Sequence, residues 1–553
     1  MSNKKRRLFS SLLTVFSILV VAVACGDDDG DDGSSGRFGG EIVVHALEFS
    51  SFDPHFSAFS QDLMHEKQVF RGLYQLDVDS MPVPEMAVDF PVISDDLLTY
   101  TIKLKEGLVW SDGEPLTAHD FELGIQRTCS YAVAGAYSYL LSNIVGCDEF
   151  YDPSNAEKSE SEVAALLEGV LVTALDDRTL EITLEQPQPT FTTILTLWTS
   201  WPVPSHIVTD PSAEWPRPTD LVFNGPFEVE SYSPGESMVF VRNDNYGGDH
   251  LAYLDRLTFR YIEDSAVANN AFRSGELAIA KADISNFAGL QDEFPDELLV
   301  VDAAVTSGLL MQMASPPLDN LDVRLALARA IDREQLNKHV FQDANTATTT
   351  WIPADIVGID GGFEDVIGFD AEAARIHLAK AGFEGGEGFP EITLLIMENH
   401  QLTAEFLQDQ FSQILNISIR IDVVDGPTFG ARFGAGDYDL FPITWAHDYP
   451  DPESWVVGLF NTDGGLNFAG CSLPEIDATI AAAQFNTNDE KRREQYRHVN
   501  ELVIENVCGV APMFHPANSY LVAANVGGAR EFSTSSDLLM PGDWIAEEWY
   551  LRD

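Results

Sequence analysis

Positive charge is what this 553-residue chain has least of: 32 Lys and Arg stand against 88 Asp and Glu, a formal net charge of −56. No concentrated basic face can be assembled from so few cations, which excludes nucleic acid and makes anionic ligands poor partners. Repulsion at this density keeps a chain soluble, and salt relieves it. Cysteine is scarce as well. None of the five is spaced C-x-x-C, so the common redox and zinc motifs are missing. G-x-S-x-G, H-E-x-x-H, G-x-x-x-x-G-K and G-x-G-x-x-G are all absent, which argues against an enzyme of the nucleophile-elbow, zinc-protease, P-loop or dinucleotide type. The 12 His are scattered, His55 and His65 being the nearest to a cluster. No metal and no cofactor is expected. Acidic pairs such as Asp176 and Asp177 are too common at this composition to mark a catalytic dyad.

At the N-terminus, Lys4, Lys5, Arg6 and Arg7 precede an apolar run from Leu8 to Ala24, and Ala22, Val23 and Ala24 lead to Cys25. Basic, apolar and small residues in that order predict a cleaved signal. A Cys directly after them resembles the bacterial lipobox, which implies that residues 1–25 are a lipoprotein signal peptide whose Cys25 becomes a diacylated N-terminus. Residues 26–40 carry Asp27, Asp28, Asp29, Asp31 and Asp32 among Gly and Ser, a flexible acidic tether. No later stretch is long and apolar enough to cross a bilayer. The expected location is outside the cytoplasmic membrane, at the cell surface or in the periplasm, with the lipid as the only membrane contact. The remaining Cys129, Cys147, Cys471 and Cys508 are an even set in an oxidising compartment, and by count alone three pairings are open.

The folded body mixes strands and helices. "EIVVHAL" (41–47), "LTYTIKL" (98–104) and "DRTLEITLEQP" (177–187) read as strands. Asp112-Gly113 reads as a hairpin turn, and residues 226–246 as two strands around Pro234-Gly235. Thr117 with Asp120 opens a helix, a second spans 322–340, and a third spans 370–383 with Gly382 as its stop. "EITLLIM" and "SIRIDVV" bracket a helix over 403–415, a strand-helix-strand unit of α/β type. The octapeptide "WAHDYPDP" (445–452) cannot be helix interior, because Pro450 and Pro452 each remove a backbone donor.

Six stretches carry a resemblance: "FDPHFSAFSQDLMHEKQVFRGLYQLD" (52–77), "PEMAVDFPVISDDLLTYTIKLKEGLVWSDGEPLTAHDFELGIQR" (84–127), "NGPFEVESY" (224–232), "FRSGELAIA" (272–280), "PPLDNLDVRLALARAIDREQL" (316–336) and "WAHDYPDPESW" (445–455). In order and spacing, over about residues 41–530, they resemble the extracytoplasmic solute-binding proteins of peptide- and nickel-type ABC importers, the oligopeptide-binding members most of all. The resemblance implies an α/β fold of the two-lobed periplasmic-binding-protein type, with a hinge and an additional inserted domain (the large peptide-binding class). Lobe I would take 41–78, 202–305 and 517–553, the inserted domain 79–201, and lobe II 306–516. It implies a monomer that binds a peptide between the lobes and delivers it to an ABC permease and ATPase complex. The peptide backbone would pair with Ala58, Phe59 and Ser60 on one side and Thr444, Trp445 and Ala446 on the other, and Asp448 would take its α-ammonium. Backbone pairing gives affinity without reading side chains, and a charge-assisted bond fixes the register. With these lobes, Cys129 is expected to pair with Cys147 and Cys471 with Cys508, since crossed pairs would tie lobe II to the insert and hinder the hinge. The alternatives are another solute on the same scaffold (a nickel complex or an oligosaccharide), a sensory receptor without transport, and a secreted hydrolase. Asp448 favours an amine-bearing ligand over a sugar.

Replacing Cys25 by Ala is expected to move the protein from the membrane fraction to the soluble extracytoplasmic one on cell fractionation. A wild type that is already fully soluble would contradict the anchor.

Overall fold

A computed structural model describes residues 38–77, 80–249, 251–302, 304–353, 356, 362–397, 400–530 and 546–552. The signal segment, Cys25 and the tether through residue 37 lie outside the described residues. The end of the expected tether is already held by the body: the Gly39 N–H donates to the Tyr253 carbonyl at 2.8 Å, the Gly40 N–H to Asp255 Oδ2 at 3.0 Å, and Phe38 packs edge-on to Tyr253.

Alternation in the sequence becomes strand geometry. Thr99–Lys103 buries Tyr100 and Ile102 and turns Lys103 to solvent, the period-2 pattern of a half-buried strand. It belongs to a four-stranded antiparallel sheet, ordered Val92–Ile93, Thr99–Lys103, Thr179–Thr183, Val172–Asp176. A seven-stranded sheet is ordered Leu298–Asp302, Ala517–Val522, Ile279–Lys281, Glu41–Ala46, Arg256–Tyr261, Ser237–Arg242, Phe227–Ser233. A six-stranded sheet is ordered Thr346–Ala347, Val510–His515, Val305–Met311, Leu440–Ala446, Ile392–Ile396, Ile419–Val423. Its pair Ile392–Ile396 and Ile419–Val423 is parallel and is joined by the helix Gln401–Leu415, as parallel neighbours require.

The chain passes from the seven-stranded to the six-stranded sheet between Asp302 and Val305, and returns between His515 and Ala517. The two passages run side by side: Asp302 is paired with Ala517 and Ser307 with Phe514.

Local signals place the helices. The Thr117 N–H donates to Asp120 Oδ2 at 2.7 Å, a capping box that starts Ala118–Thr128. The single helix expected over 322–340 is two, Leu321–Arg329 and Arg333–Val340. Asp332 caps the second through the Gln335 N–H, and a side chain that offers the backbone an acceptor favours a new start over a continued turn.

Cys129, just after Ala118–Thr128, is bonded to Cys147 with Cα atoms 5.0 Å apart, and Cys471 to Cys508 at 5.4 Å. Both bridges are buried. With separations of 18 and 37 residues, loop-closure entropy assigns each roughly 3–4 kcal/mol. Reduction is expected to lower the midpoint of chemical unfolding accordingly. Peptide mapping without reductant should recover these two pairs and no bridge from Cys129 to Cys471.

Candidate functional site

The strand Leu440–Ala446 pairs along its whole length with Val305–Met311. Among the described residues its other edge pairs only at its first residue, where Leu394 meets Leu440. From Phe441 to Ala446 that edge is open. Alternate residues of an antiparallel strand point their N–H and C=O groups away from the paired neighbour, so this edge offers donors and acceptors to an added strand. Thr444 is exposed, and its hydroxyl lies 2.7 Å from that of Ser307. Trp445 is almost wholly buried and donates its indole N–H to the Ser454 carbonyl at 3.1 Å. It therefore pins the turn that follows.

That turn is held from several directions. Asp451 accepts from Arg492 Nη1 at 2.6 Å and Nη2 at 2.7 Å, a bidentate fork. Glu453 accepts from Arg492 Nη2 at 2.5 Å and from the Thr190 hydroxyl at 3.0 Å. The guanidinium lies over the Tyr496 ring at 4.9 Å. Burial works against the Arg492 charge, but the Asp451 and Glu453 carboxylates outweigh it and raise its pKa. Tyr449 is core packing. The Asp448 N–H donates to the Ser454 hydroxyl at 2.8 Å, which ties Asp448 to the turn.

The segment before the helix Ser60–Val69 is equally constrained. Asp62 accepts from the N–H groups of Ser50 at 2.6 Å, Ser51 at 3.2 Å and Phe59 at 3.3 Å, and from that of Ala58. The Phe59 carbonyl accepts from Asp62 and Leu63 at the helix start. Of the backbone groups on Ala58, Phe59 and the Ser60 N–H, two have no partner among the described residues: the Ala58 carbonyl and the Ser60 N–H. An acceptor on one residue and a donor two residues on is the pattern that one residue of a parallel strand bridges. The Phe59 side chain is exposed.

Asp448 lies where these parts meet. The Tyr137 hydroxyl donates to its carboxyl, Ser454 Oγ lies at 3.5 Å, and Lys67 of the helix Ser60–Val69 acts on it electrostatically. Tyr139 is half-buried beside it, and a Cβ on Gly458 would stand 3.1 Å from the Tyr139 hydroxyl, so that glycine admits the ring. Asp448 keeps part of its surface in solvent, yet protein surrounds the carboxyl from three directions. Burial pushes it up to about 7, and the Tyr137 and Ser454 hydroxyls and Lys67 keep it from rising further.

His55 and His65 do not converge: His55 Nε2 meets the Trp201 carbonyl at 3.1 Å and His65 Nδ1 the Gln61 carbonyl at 2.7 Å. Among the described residues no acid, His and Cys cluster could hold a metal ion. Tyr137, Lys67, Thr190 and Arg492 carry no motif in the sequence. Asp62 and Glu66 do leave a trace, as two acids four residues apart on a helix whose other positions are largely buried.

Two sheets crossed twice by the chain, with a third sheet attached, define a two-lobed α/β binding protein. A model of the bacterial extracellular solute-binding proteins, family 5 Middle, matches residues 81–467, and the chain belongs to that family. Its members are solute-binding proteins and not enzymes. The chain is similar to the oligopeptide-binding protein OppA of Bacillus subtilis, with 25% identity over 566 residues and 98% of each chain covered. It is similar to the probable deoxycholate-binding periplasmic protein YgiS of Escherichia coli, with 26% identity over 465 residues, 83% of this chain and 85% of the relative. The crystal structure of Haemophilus influenzae OppA in complex with RPPGFSPFR shares the fold at TM-score 0.82 and 24% identity, over 93% of this chain and 99% of that one. No helix among the described residues is long and apolar enough to cross a membrane.

The Asp448 environment predicts a pH dependence of closure. A solvated Asp titrates near 3.9, so opening the lobes returns Asp448 toward that value from about 7. The closed, empty state then binds more protons than the open one across that interval, and lowering the pH from 8 to 5 favours it. The cost of closing over a charged Asp448 is up to about 4 kcal/mol above pH 7, comparable to a whole hinge equilibrium of a few kcal/mol. Small-angle scattering without ligand is expected to show compaction on acidification, and Asp448→Asn is expected to abolish the pH dependence.

Proposed function

We propose that the chain captures peptides between its two lobes outside the cytoplasmic membrane and delivers them to an ABC permease and ATPase complex, anchored by lipid on Cys25. The observation that carries this reading is Asp448, a carboxyl enclosed between the lobes at the end of a strand with an open edge. In this reading the peptide adds as a strand to Thr444, Trp445 and Ala446 and bridges the free groups of Ala58 and Ser60 around Phe59. Its α-ammonium then sits against Asp448. Closing the lobes removes water and strengthens that pair. Lys67 offsets only part of the cost of burying this carboxylate, and the ligand supplies a further cation. The lobes would be 41–78, 202–305 and 517–553 for lobe I and 306–516 for lobe II, with 79–201 inserted. The three larger sheets, each drawn from one of these sets but for Val305, support that division, and the two-stranded pair Tyr74–Leu76 with Pro82–Pro84 spans its 78/79 boundary.

The names of the relatives point both to peptides, for OppA, and to deoxycholate, for YgiS. Deoxycholate is an anion. Asp448 and a net charge of −56 favour an ammonium instead.

Asp448→Asn keeps the shape and removes the charge. It is expected to weaken binding of RPPGFSPFR by about 2–5 kcal/mol, the usual cost of breaking a buried charge pair, while circular dichroism remains that of the wild type. The N-acetylated peptide should bind the wild type comparably poorly. Titration calorimetry in which neither change alters affinity would show that the ligand is not held by an amine.

A further inference from the structure

Beneath the loop that precedes Ser60–Val69 lies a pair of buried acids that the peptide reading leaves without a task. Asp62 gathers the N–H groups of Ser50, Ser51, Ala58 and Phe59, and Glu66, one turn further on, accepts from the Ser57 hydroxyl at 2.6 Å. The Ser57 carbonyl in turn accepts from the Trp198 indole at 3.2 Å. Every link in this set ends on residues 50–59. Together they consume the donors of Ala58 and Phe59 and leave the Ala58 carbonyl and the Ser60 N–H without a partner among the described residues.

We propose that Asp62 and Glu66 are positioning residues that hold the segment Ser57–Ser60 in its ligand-ready shape, Asp62 as a carboxylate and Glu66 as a neutral acid. The roles differ because the surroundings differ. Burial raises the Asp62 pKa, and the four amide donors around it hold that rise back and suit an anion. Glu66 has one hydroxyl donor, and its Oε2 is buried with no partner among the described residues. The charged groups that face it are acids: Asp62 on its own helix and Asp53 on the preceding loop. Asp53 is already taken by Arg127 of the helix Ala118–Thr128 at 2.5 Å, with His55 Nδ1 at 3.6 Å. His65, next in sequence, points its ring among Phe49, Phe259 and Tyr261, where burial lowers it to about 4 and keeps it neutral. Burial and the two acids raise Glu66 well above the usual carboxylate range.

The sign follows. The folded protein keeps the Glu66 proton to higher pH than the unfolded chain does, so stability falls as pH rises from the unfolded carboxylate range through the folded value. Glu66→Gln imitates the neutral acid and lacks that fall. Its advantage in melting temperature over the wild type should therefore grow with pH and then level off.

The inference rests on the peptide reading for its purpose but not for its first test. Hydrogen-exchange mass spectrometry of the ligand-free protein at pH 6 is expected to show fragments spanning 50–60 exchanging at least about tenfold faster in Glu66→Ala and Asp62→Asn, with Glu66→Gln near the wild type. Affinity for RPPGFSPFR, by calorimetry, should fall about tenfold in Glu66→Ala and stay near wild type in Glu66→Gln. Should Glu66→Ala fail to fold, Ser57→Ala removes the same bond from the other side. Wild-type exchange rates in Glu66→Ala or Ser57→Ala would overturn the positioning role. A wild type that exchanges as expected but binds no free-amine peptide would overturn the peptide reading alone.

Discussion

Two short crossings, at Asp302–Val305 and His515–Ala517, join the sheets, and every other contact between the lobes has to be one that can be made and broken. That constraint explains what lies at the junction. The side chains that meet there are hydroxyls and charges: Tyr137 on Asp448, Thr190 on Glu453, Lys67 near Asp448. Polar contacts exchange with water at small net cost, whereas a large apolar interface would lock the lobes together. Paired crossings also restrict the motion, because two adjacent strands hinge about one line more readily than they twist.

Rigidity within each lobe complements freedom between them. The turn after Ala446 contains two prolines and is clamped by the Arg492 fork on Asp451 and Glu453 and by the Trp445 indole on Ser454. The role proposed for Asp448 needs a support that does not move with the ligand. The segment before Ser60 is held the same way, from below, by buried acids. In the proposed reading the ligand meets backbone groups on both sides and one charge, each presented on an element fixed by its remaining hydrogen bonds.

Much of this was legible in the residues. Period-2 alternation gave the strands at 99–103 and 179–183, and Thr117 with Asp120 gave a helix start, because each depends on neighbours in sequence. The single helix expected over 322–340 divides at Asp332, where a local cap outweighs a continuous apolar stripe. Asp448 stood out through the prolines around it. Arg492 and Tyr137 did not, and Glu66 left only its spacing from Asp62. Their partners lie 41, 39 and 9 residues away for Asp451, Glu453 and Ser57, and Tyr137 meets Asp448 from another part of the chain altogether.

The sequence by itself determined the charge, the compartment signals, the local elements and the turn that presents Asp448, since propensity, capping and proline sterics act over a few residues. Only the tertiary structure decided that, among the described residues, the strand Leu440–Ala446 keeps an open edge after its first residue, that the Ala58 carbonyl and the Ser60 N–H have no partner, and that the Asp448 carboxyl is largely surrounded by protein. Pairing and desolvation depend on which distant segments arrive beside a group, and no local pattern records that.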